Sequence, residues 1–312
     1  MGFFSNTIVI LGGKDLIDNN IKKVKLVLLI ILFANIIVSF LKITIGSTVK
    51  STSVTADGFH SLADGLANIV GLVGIMLASK PVDKEHPYGH RKFEFLAGMF
   101  IAGMLFVMSG KIVLNAINRL INPVVPNITR ESLIVLLISL FINVFVCVYE
   151  YRKGKKLKSQ ILISDSMHTR SDIYVSLGVL ITLGCIKLGF SIVIDPIVSF
   201  IVAGFIIYAG YKVLKENSDI LLDKVVIDAE IIKNIVLSFE EVKDAHNIRS
   251  RGSENDMYID MHIMTEPDLS IEESHELIHN IEERIRADIN KNTQVIAHLE
   301  PYHEEDGAHP NN

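Results

Sequence analysis

The octapeptide DGFHSLAD at residues 57–64 has a counterpart, DSMHTRSD, at residues 165–172. Both octapeptides have the spacing Asp-x-x-His-x-x-x-Asp, and each precedes a long apolar run. An α-helix makes a turn about every 3.6 residues, so positions i, i+3 and i+7 share one face. The sequence therefore predicts two polar stripes on two helices: Asp57, His60 and Asp64 on one, and Asp165, His168 and Asp172 on the other.

The composition around these stripes is typical of a membrane protein. The chain of 312 residues is 49% hydrophobic, and its mean hydropathy of +0.39 is high for a soluble protein. A membrane-spanning helix needs roughly 20 consecutive, mostly apolar residues. Six segments meet that length, and they begin near residues 25, 51, 93, 131, 159 and 191. The sequence predicts an all-α membrane domain of six transmembrane helices, in which the second and fifth carry the polar stripes.

Charge divides the chain into a basic part and an acidic part. Residues 1–216 hold 22 Lys and Arg against 13 Asp and Glu, a net charge of +9, whereas residues 217–312 hold 8 against 22, a net charge of −14. Basic residues concentrate before the first span and in the loops after the second and fourth. The positive-inside rule therefore predicts cytoplasmic termini for a multi-pass protein of the cell membrane. The acidic part argues against a nucleic-acid partner and favours cations.

The acidic part has the pattern of a small α+β domain. An amphipathic helix at residues 227–242 precedes two strands, HNIRSR and MYIDMHIMT, which are separated by the turn-like RGSEND. A second helix and a last strand, TQVIAHLEP, complete the order α-β-β-α-β, which predicts two layers with both helices on one face. The expected parts are an N-terminal cytoplasmic segment (1–21), the membrane domain (22–215), the soluble domain (216–302) and a disordered tail (303–312).

The two polar stripes predict a metal site inside the membrane. An ionised aspartate that faces lipid costs several kcal/mol, so both stripes must face the interior of the bundle. The simplest arrangement places the two stripes against each other with a cation between them. Two imidazole nitrogens and two carboxylate oxygens suit a borderline divalent ion such as zinc. The four-residue spacing lets each helix supply two ligands, while the first aspartate of each stripe orients a ligand or loads the site. The alternative interpretation is a structural polar cluster.

The depth of the stripes is consistent with transport. Each His-x-x-x-Asp pair begins some nine residues into its span, which places both pairs roughly 15–20 Å deep in a hydrocarbon core of about 30 Å. A site near the midplane is what alternating access requires. The cysteines, Cys147 and Cys185, lie in apolar runs, which excludes a disulfide framework and a thiolate-rich metal site.

With these features the chain resembles the cation diffusion facilitator family over about residues 20–302. The resemblance implies six spans, a ferredoxin-like (αββαβ) cytoplasmic domain and a homodimer. It also implies a transport site made by His60, Asp64, His168 and Asp172. A histidine on both helices resembles the zinc-selective members, whereas members that prefer manganese or iron often carry Asp or Asn in place of a histidine.

The resemblance implies two further metal sites. The loop DKEHPYGHRKFE (83–94) matches the family pattern, and its candidate ligands are Asp83, His86 and His90; the alternative is a solvated hinge loop. In the soluble domain, a bridged metal pair at the dimer interface would take its ligands from His246, His262, His275, His298 and Glu300. Glu300 stands where a shorter aspartate is common, so its reach must differ. The alternative here is a set of ordinary surface histidines.

These expectations combine into a function. The sequence predicts a proton-coupled exporter of a divalent cation, with Zn²⁺ as both transported substrate and regulatory ligand, in which protons compete with metal for His60 and His168. Alternatives are the same kind of transporter selective for Fe²⁺, Co²⁺, Cd²⁺ or Mn²⁺, a metal-gated channel, and a membrane-bound metal sensor. An enzyme is not expected, because the chain has no His-Glu-x-x-His and four protein ligands leave a zinc ion no open position.

Overall fold

The computed structural model describes residues 3–48, 52–122, 130–191 and 193–303. The chain begins with six long helices: α1 (Phe3–Thr48), α2 (Thr52–Ala78), α3 (Lys92–Ile121), α4 (Arg130–Leu157), α5 (Gln160–Lys187) and α6 (Ile194–Leu221). Two compact units result. Among the described residues, one unit lies within 18–218, and the other combines residues 3–17 with 219–303.

The predicted helical membrane domain is confirmed. In the described part of the chain, five helices are long and apolar enough to cross a membrane: Asn20–Ile45, Lys92–Ile121, Leu133–Leu157, Gln160–Lys187 and Ile194–Leu221. The sixth helix is α2, whose described apolar part is Gly65–Ala78. Because α1 begins at Phe3, the segment 1–21 that the sequence set apart is largely continuous with the first helix.

Glycines let α2 approach its neighbours closely. A Cβ atom at Gly58, inside the first octapeptide, would lie 2.7 Å from Cγ1 and 2.9 Å from the backbone nitrogen of Ile43 on α1. A Cβ atom at Gly74 would collide with Cβ of Ala97 on α3. Small residues are common at helix contacts in membranes, where lipid is as apolar as a neighbouring helix and close packing drives association. These two contacts hold α2 between α1 and α3.

A glutamate on α3 holds the first turn of α5. Oε1 of Glu94 accepts hydrogen bonds from Oγ of Ser159, at 2.6 Å, and from the backbone nitrogen of Ile161, at 3.2 Å. The first backbone N–H groups of a helix have no partner within the helix, and a carboxylate there satisfies them and complements the helix dipole. The contact fixes the start of the helix that carries the second stripe.

The second unit contains the predicted order α-β-β-α-β. Its elements are α7 (Ala229–Val236), β1 (Val242–Ser253), β2 (Asp256–Thr265), α8 (Ile271–Asp288) and β3 (Thr293–Pro301). The sheet order is β1-β2-β3, with β1 antiparallel and β3 parallel to β2. The first helix ends at Val236 and is shorter than predicted. Of the predicted tail, residues 304–312 lie outside the described part of the chain.

The hairpin between β1 and β2 is tighter than the sequence suggested. Ser253 pairs with Asp256, so only two residues form the turn where the whole of RGSEND was expected. Gly252 has a φ of +106° in the left-handed region that favours glycine. A Cβ atom there would also collide with the carbonyl oxygen of Asp256. The glycine therefore lets both strands continue to the turn.

The two faces of the sheet differ. Along β2, Ile259, Met261 and Ile263 are buried and pack against Leu277 and Ile281 of α8. Successive side chains of a strand point to opposite faces. The residues that alternate with these three, His262 among them, therefore lie on the face away from the helices. The predicted two-layer arrangement thus has one covered face and one open face.

Candidate metal sites

The second polar stripe lies on a buried part of α5. Asp165 is 1% exposed and His168 is 5% exposed, and Asp172 is half-buried. Buried charge in a membrane protein is expensive and marks functional positions. The face of α5 that carries the stripe therefore points into the bundle.

The first stripe belongs to α2, where its backbone is helical. The side chains of Asp57, His60 and Asp64 lie outside the described part of the structure. Their position along the bundle follows from neighbouring residues on the same helix.

The contacts between α2 and α5 show that the helices run antiparallel. Nδ2 of Asn68 donates to Oδ2 of Asp165 at 2.6 Å, and a Cβ atom at Gly71 would lie 3.4 Å from Cγ1 of Ile161. Going three residues forward along α2 thus corresponds to going four residues backward along α5. The two octapeptides are therefore traversed in opposite directions.

Helical rise shows which residues lie at the same level. Asp64 lies four residues before Asn68, about 6 Å along α2 at a rise of about 1.5 Å per residue. His168 and Asp172 lie about 4.5 and 10.5 Å beyond Asp165 in the same direction. The backbone of Asp64 is therefore level with the segment between His168 and Asp172. His60, about 12 Å from Asn68, is level with Asp172, so the two His-x-x-x-Asp pairs occupy one layer of the bundle.

A chain of polar side chains joins four helices next to this layer. Nδ2 of Asn35 on α1 donates to Oδ1 of Asn68 at 2.8 Å, and Asn68 in turn donates to Asp165. Oγ1 of Thr169 donates to Oε2 of Glu150 on α4 at 3.0 Å. The carboxyl groups of Glu150 and Asp165 contact one another. The chain couples α1, α2, α4 and α5 beside the second stripe.

Sequence reasoning did not select Glu150. The residue is 0% exposed, although it precedes the basic run from Arg152 and stands near the end of α4, where a charge usually reaches solvent. The signal available in the sequence was an acidic residue seven positions inside the end of an apolar helix. Only the rotation of α4 about its axis decides whether such a residue faces water or the bundle.

The loop between α2 and α3 brings its three predicted ligands together. One ligand atom from each of Asp83, His86 and His90 lies within 4.8 Å of the others. Nε2 of His90 is 3.4 Å from Oδ2 of Asp83, and two ligands bound at about 2.1 Å to a tetrahedral zinc ion are about 3.4 Å apart. The loop is not helical, which is consistent with the proline within it.

Hydrogen bonds orient the candidate ligand atoms of this loop. Nδ1 of His90 lies 3.1 Å from the carbonyl oxygen of Pro81; when Nδ1 donates there, Nε2 keeps its lone pair for a metal. Oδ1 of Asp83 accepts from the backbone nitrogens of His86 at 2.7 Å and Glu85 at 3.0 Å. The hydrogen bond from His86 is the main cause that lowers the pKa of the Asp83 carboxyl group. The carboxylate therefore stays ionised and able to bind a metal at neutral pH.

Strand register aligns three histidines across the sheet. His246 pairs with His262 across β1 and β2, and His262 pairs with His298 across β2 and β3. Glu300 follows two residues later and therefore shares their face. Its Oε1 lies 2.7 Å from Nδ1 of His262, and its Oε2 lies 3.3 Å from Nε2 of His246. The longer glutamate, which the sequence left in question, reaches both histidines.

Among the described residues, three of the five predicted ligands of this domain converge in one chain: His246, His262 and Glu300. We refer to them as the sheet cluster. His298 borders it, with Nε2 3.8 Å from Oε1 of Glu300 and a side chain that is 68% exposed. His275 is exposed on α8, on the helical layer behind the sheet, and its ring stacks on His279. The sheet therefore separates His275 from the cluster of its own chain.

We expect His262→Ala to remove one tightly bound Zn²⁺ per chain. His262 pairs with both flanking histidines in the strand register, and loss of a ligand costs more than loss of a supporting hydrogen bond, which costs about 10- to 100-fold in affinity. Chelator competition on the purified full chain measures the number of bound ions. The matched control is His279→Ala, which removes an α8 histidine outside the cluster. An unchanged ion count in His262→Ala would contradict the assignment.

Two family models match this chain. The cation efflux transmembrane domain matches residues 28–222, and the cytoplasmic domain of cation efflux proteins matches residues 226–302. The first match covers the helices that carry the polar stripes, and the second covers the sheet cluster.

Similar proteins come from bacteria, archaea and plants. The manganese efflux system protein MneP of Bacillus subtilis is 32% identical over 289 residues, which are 89% of this chain and 96% of MneP. An uncharacterized transporter of Methanocaldococcus jannaschii is 31% identical over 268 residues, 85% of this chain and 94% of that protein. Metal tolerance protein C1 of Arabidopsis thaliana is 30% identical over 291 residues, 86% of this chain and 61% of that protein.

Proposed function

This chain belongs to the cation efflux family, also called the cation diffusion facilitators, and from that premise we propose that it exports a divalent metal ion across the cell membrane in exchange for protons. It is a multi-pass membrane transporter and not an enzyme. The observation that carries the proposal is the antiparallel contact between α2 and α5. That contact brings the backbones of the two His-x-x-x-Asp pairs to one level inside the bundle.

The proposed transport site consists of His60, Asp64, His168 and Asp172. Each helix supplies one imidazole and one carboxylate, and four such ligands suit the tetrahedral coordination of Zn²⁺ at about 2.0–2.2 Å. Alternating access around the site exposes it to one side of the membrane at a time. Zn²⁺ is therefore the proposed primary substrate.

Mn²⁺ is the second candidate substrate, and a specific observation favours it. The relative with 32% identity over 89% of this chain is a manganese efflux system protein. Mn²⁺ prefers carboxylate ligands over imidazole, and α5 carries a further buried carboxylate, Asp165, one turn from His168. Competition between the two metals in flux decides between them.

Proton exchange follows from the chemistry of the ligands. A histidine binds metal only as neutral imidazole, so binding of the ion and binding of a proton exclude one another. An unperturbed imidazole has a pKa of about 6.5, close to the pH on either side of a membrane. Protons arriving at the outward-facing site would therefore displace the metal and return inward on His60 and His168.

The remaining metal sites are proposed to load and regulate the transporter. The loop of Asp83, His86 and His90 is exposed for the most part and binds metal weakly before transport. The sheet cluster lies on the open face of the sheet, where a second copy would dock to make a homodimer. In that dimer, the partner's His275 would complete a site with His298 and Glu300, since the sheet separates His275 of the same chain from them. Metal binding there biases transport by its differential affinity for the two states.

Flux in proteoliposomes tests the proposal. With the membrane potential clamped, an acidic vesicle interior is expected to drive metal uptake by the reconstituted chain, and each exchanged proton adds about tenfold accumulation per pH unit. A fluorescent indicator inside the vesicles reads the ion, with Zn²⁺ and Mn²⁺ supplied separately and in competition. Metal uptake at a rate independent of the pH gradient would refute proton exchange. Single-channel currents would favour a metal-gated channel.

A further inference from the structure

Two carboxyl groups face each other inside the helical bundle, outside the proposed transport site. Glu150 on α4 is 0% exposed and Asp165 on α5 is 1% exposed, and the two groups contact one another. Neither is among the four proposed transport ligands. The pair lies beside the second stripe, about 4.5 Å along α5 from His168 at the usual helical rise.

Each carboxyl group has one oxygen that is held and one that is not. Thr169 donates to Oε2 of Glu150 at 3.0 Å, and Asn68 donates to Oδ2 of Asp165 at 2.6 Å. Oε1 of Glu150 and Oδ1 of Asp165 are buried, and apart from the contact between the two carboxyl groups they receive no hydrogen bond from the described residues. The donors orient both groups and leave one oxygen of each available, which is how supporting residues hold carboxylate ligands of a metal.

Electrostatic repulsion between the two carboxylates favours a bound cation. Two carboxylates side by side in a poorly polarisable interior repel each other, so both can be ionised only with a positive charge between them. Among the described residues, His168, Asp172 and Cys147 also lie within electrostatic range of the pair, and Asp172 adds negative charge. Burying two acidic groups in a membrane bundle costs several kcal/mol, whereas a neutral amide at either position would avoid the repulsion.

We propose that Glu150 and Asp165 form a second intramembrane binding site for the divalent cation, one helical turn from His168 toward the N-terminal end of α5. This inference rests on the proposed function and names a loading step within it. Oxygen ligands of this kind suit a hard cation such as Mn²⁺ that retains part of its water shell. An ion that enters from the side of the α4–α5 loop meets this pair first and then passes to His168 and Asp172.

Equilibrium binding of Mn²⁺ tests the site without relying on transport. The experiment uses a background chain in which metal binding at the other proposed sites is weakened by replacing carboxylates with amides of the same shape. The substitutions are Asp64→Asn and Asp172→Asn in the transport site, Asp83→Asn in the loop and Glu300→Gln in the sheet cluster. In nanodiscs, electron paramagnetic resonance of free Mn²⁺ counts the bound ions. We expect one Mn²⁺ per chain in this background and at least about tenfold weaker binding once Glu150→Gln is added.

Matched variants separate the site from general effects of a buried glutamate. Glu94→Gln changes another glutamate of the bundle, which is partly buried and caps α5, and it is expected to leave the Mn²⁺ count unchanged. Glu150→Asp keeps the charge and is expected to retain binding. If Glu150→Gln does not fold, Asp165→Asn replaces it, and we expect the same weakening of Mn²⁺ binding. Mn²⁺ binding that is equal with and without the substitution would overturn the proposal and indicate a proton shared by the pair.

The measurement also separates this inference from the proposed function. A wild-type chain that moves no metal in proteoliposomes would contradict the transport proposal, because flux is its direct consequence. Loss of the bound Mn²⁺ ion in Glu150→Gln would support the second site whether or not the wild-type chain transports metal, because binding is measured at equilibrium and does not depend on flux.

Discussion

Asp172→Ala is expected to reduce metal flux at least about 100-fold, because it removes one of four ligands from the proposed transport site. Asp172 follows His168 by four residues on α5, and the antiparallel contact of α5 with α2 sets both level with the first stripe. A site with three protein ligands holds the ion more weakly than one with four. Asp64→Ala on α2 is expected to have the same effect, since the site has two equivalent halves.

The control for this prediction is Ser176→Ala. Ser176 lies one turn further along the same helix and is half-buried, so it shares the environment of Asp172 without offering a proposed ligand. Flux of Ser176→Ala should stay within about twofold of wild type, as is usual for a substitution away from key contacts. Initial rates in proteoliposomes measure all three variants, with reconstituted protein quantified for each. If neither aspartate variant lowers the rate, the two stripes do not form the transport site.

His168→Asp is expected to change which metal the protein prefers. Imidazole suits Zn²⁺, whereas an all-oxygen set suits Mn²⁺, so exchanging a nitrogen ligand for a carboxylate should lower the ratio of Zn²⁺ to Mn²⁺ flux by at least about tenfold. His60→Asp should shift the ratio in the same direction, because it makes the matching change on α2. The direction of the shift does not depend on which metal the wild-type chain prefers.

A competition panel measures this preference. Vesicles receive Zn²⁺, Mn²⁺, Co²⁺, Fe²⁺ and Cd²⁺ together, and the ions accumulated inside are counted by mass spectrometry. His279→Asp is the control, since it places the same exchange on α8, outside every proposed site. A ratio that is unchanged in both His168→Asp and His60→Asp would mean that these histidines do not contact the transported ion.

The described structure agrees with the sequence where the signal is local. Runs of apolar residues predicted helices whose first residues fall at Lys92, Arg130 and Gln160, each within a residue of expectation, because a bilayer-spanning helix satisfies its own backbone hydrogen bonds. The αββαβ order was equally visible, since strand alternation and helical periodicity are properties of short segments. The length of the turn was harder to predict from the sequence. Most of RGSEND belongs to the two strands, because the positive φ of Gly252 permits a two-residue hairpin.

The candidate sites depended on contacts that no local pattern contains. Glu150 was not among the candidate residues, and the rotation of α4 places it against Asp165. His275 looked equivalent to His262, yet the two lie on opposite layers, since α8 covers one face of the sheet and the histidine row lies on the other. Spacing along a chain does not specify which faces of two elements meet.

The amino-acid sequence by itself determined the helices, the order of the soluble domain and the residue types able to bind a cation, because periodicity, hydropathy and ligand chemistry belong to neighbouring residues. Tertiary structure decided that α2 contacts α5 through the hydrogen bond from Asn68 to Asp165, and that Glu150 is buried in the bundle. It also decided that three ligands, and not five, meet on the sheet of one chain. These outcomes depend on how whole helices and strands pack, where the burial of many side chains together fixes the rotation and register of each element.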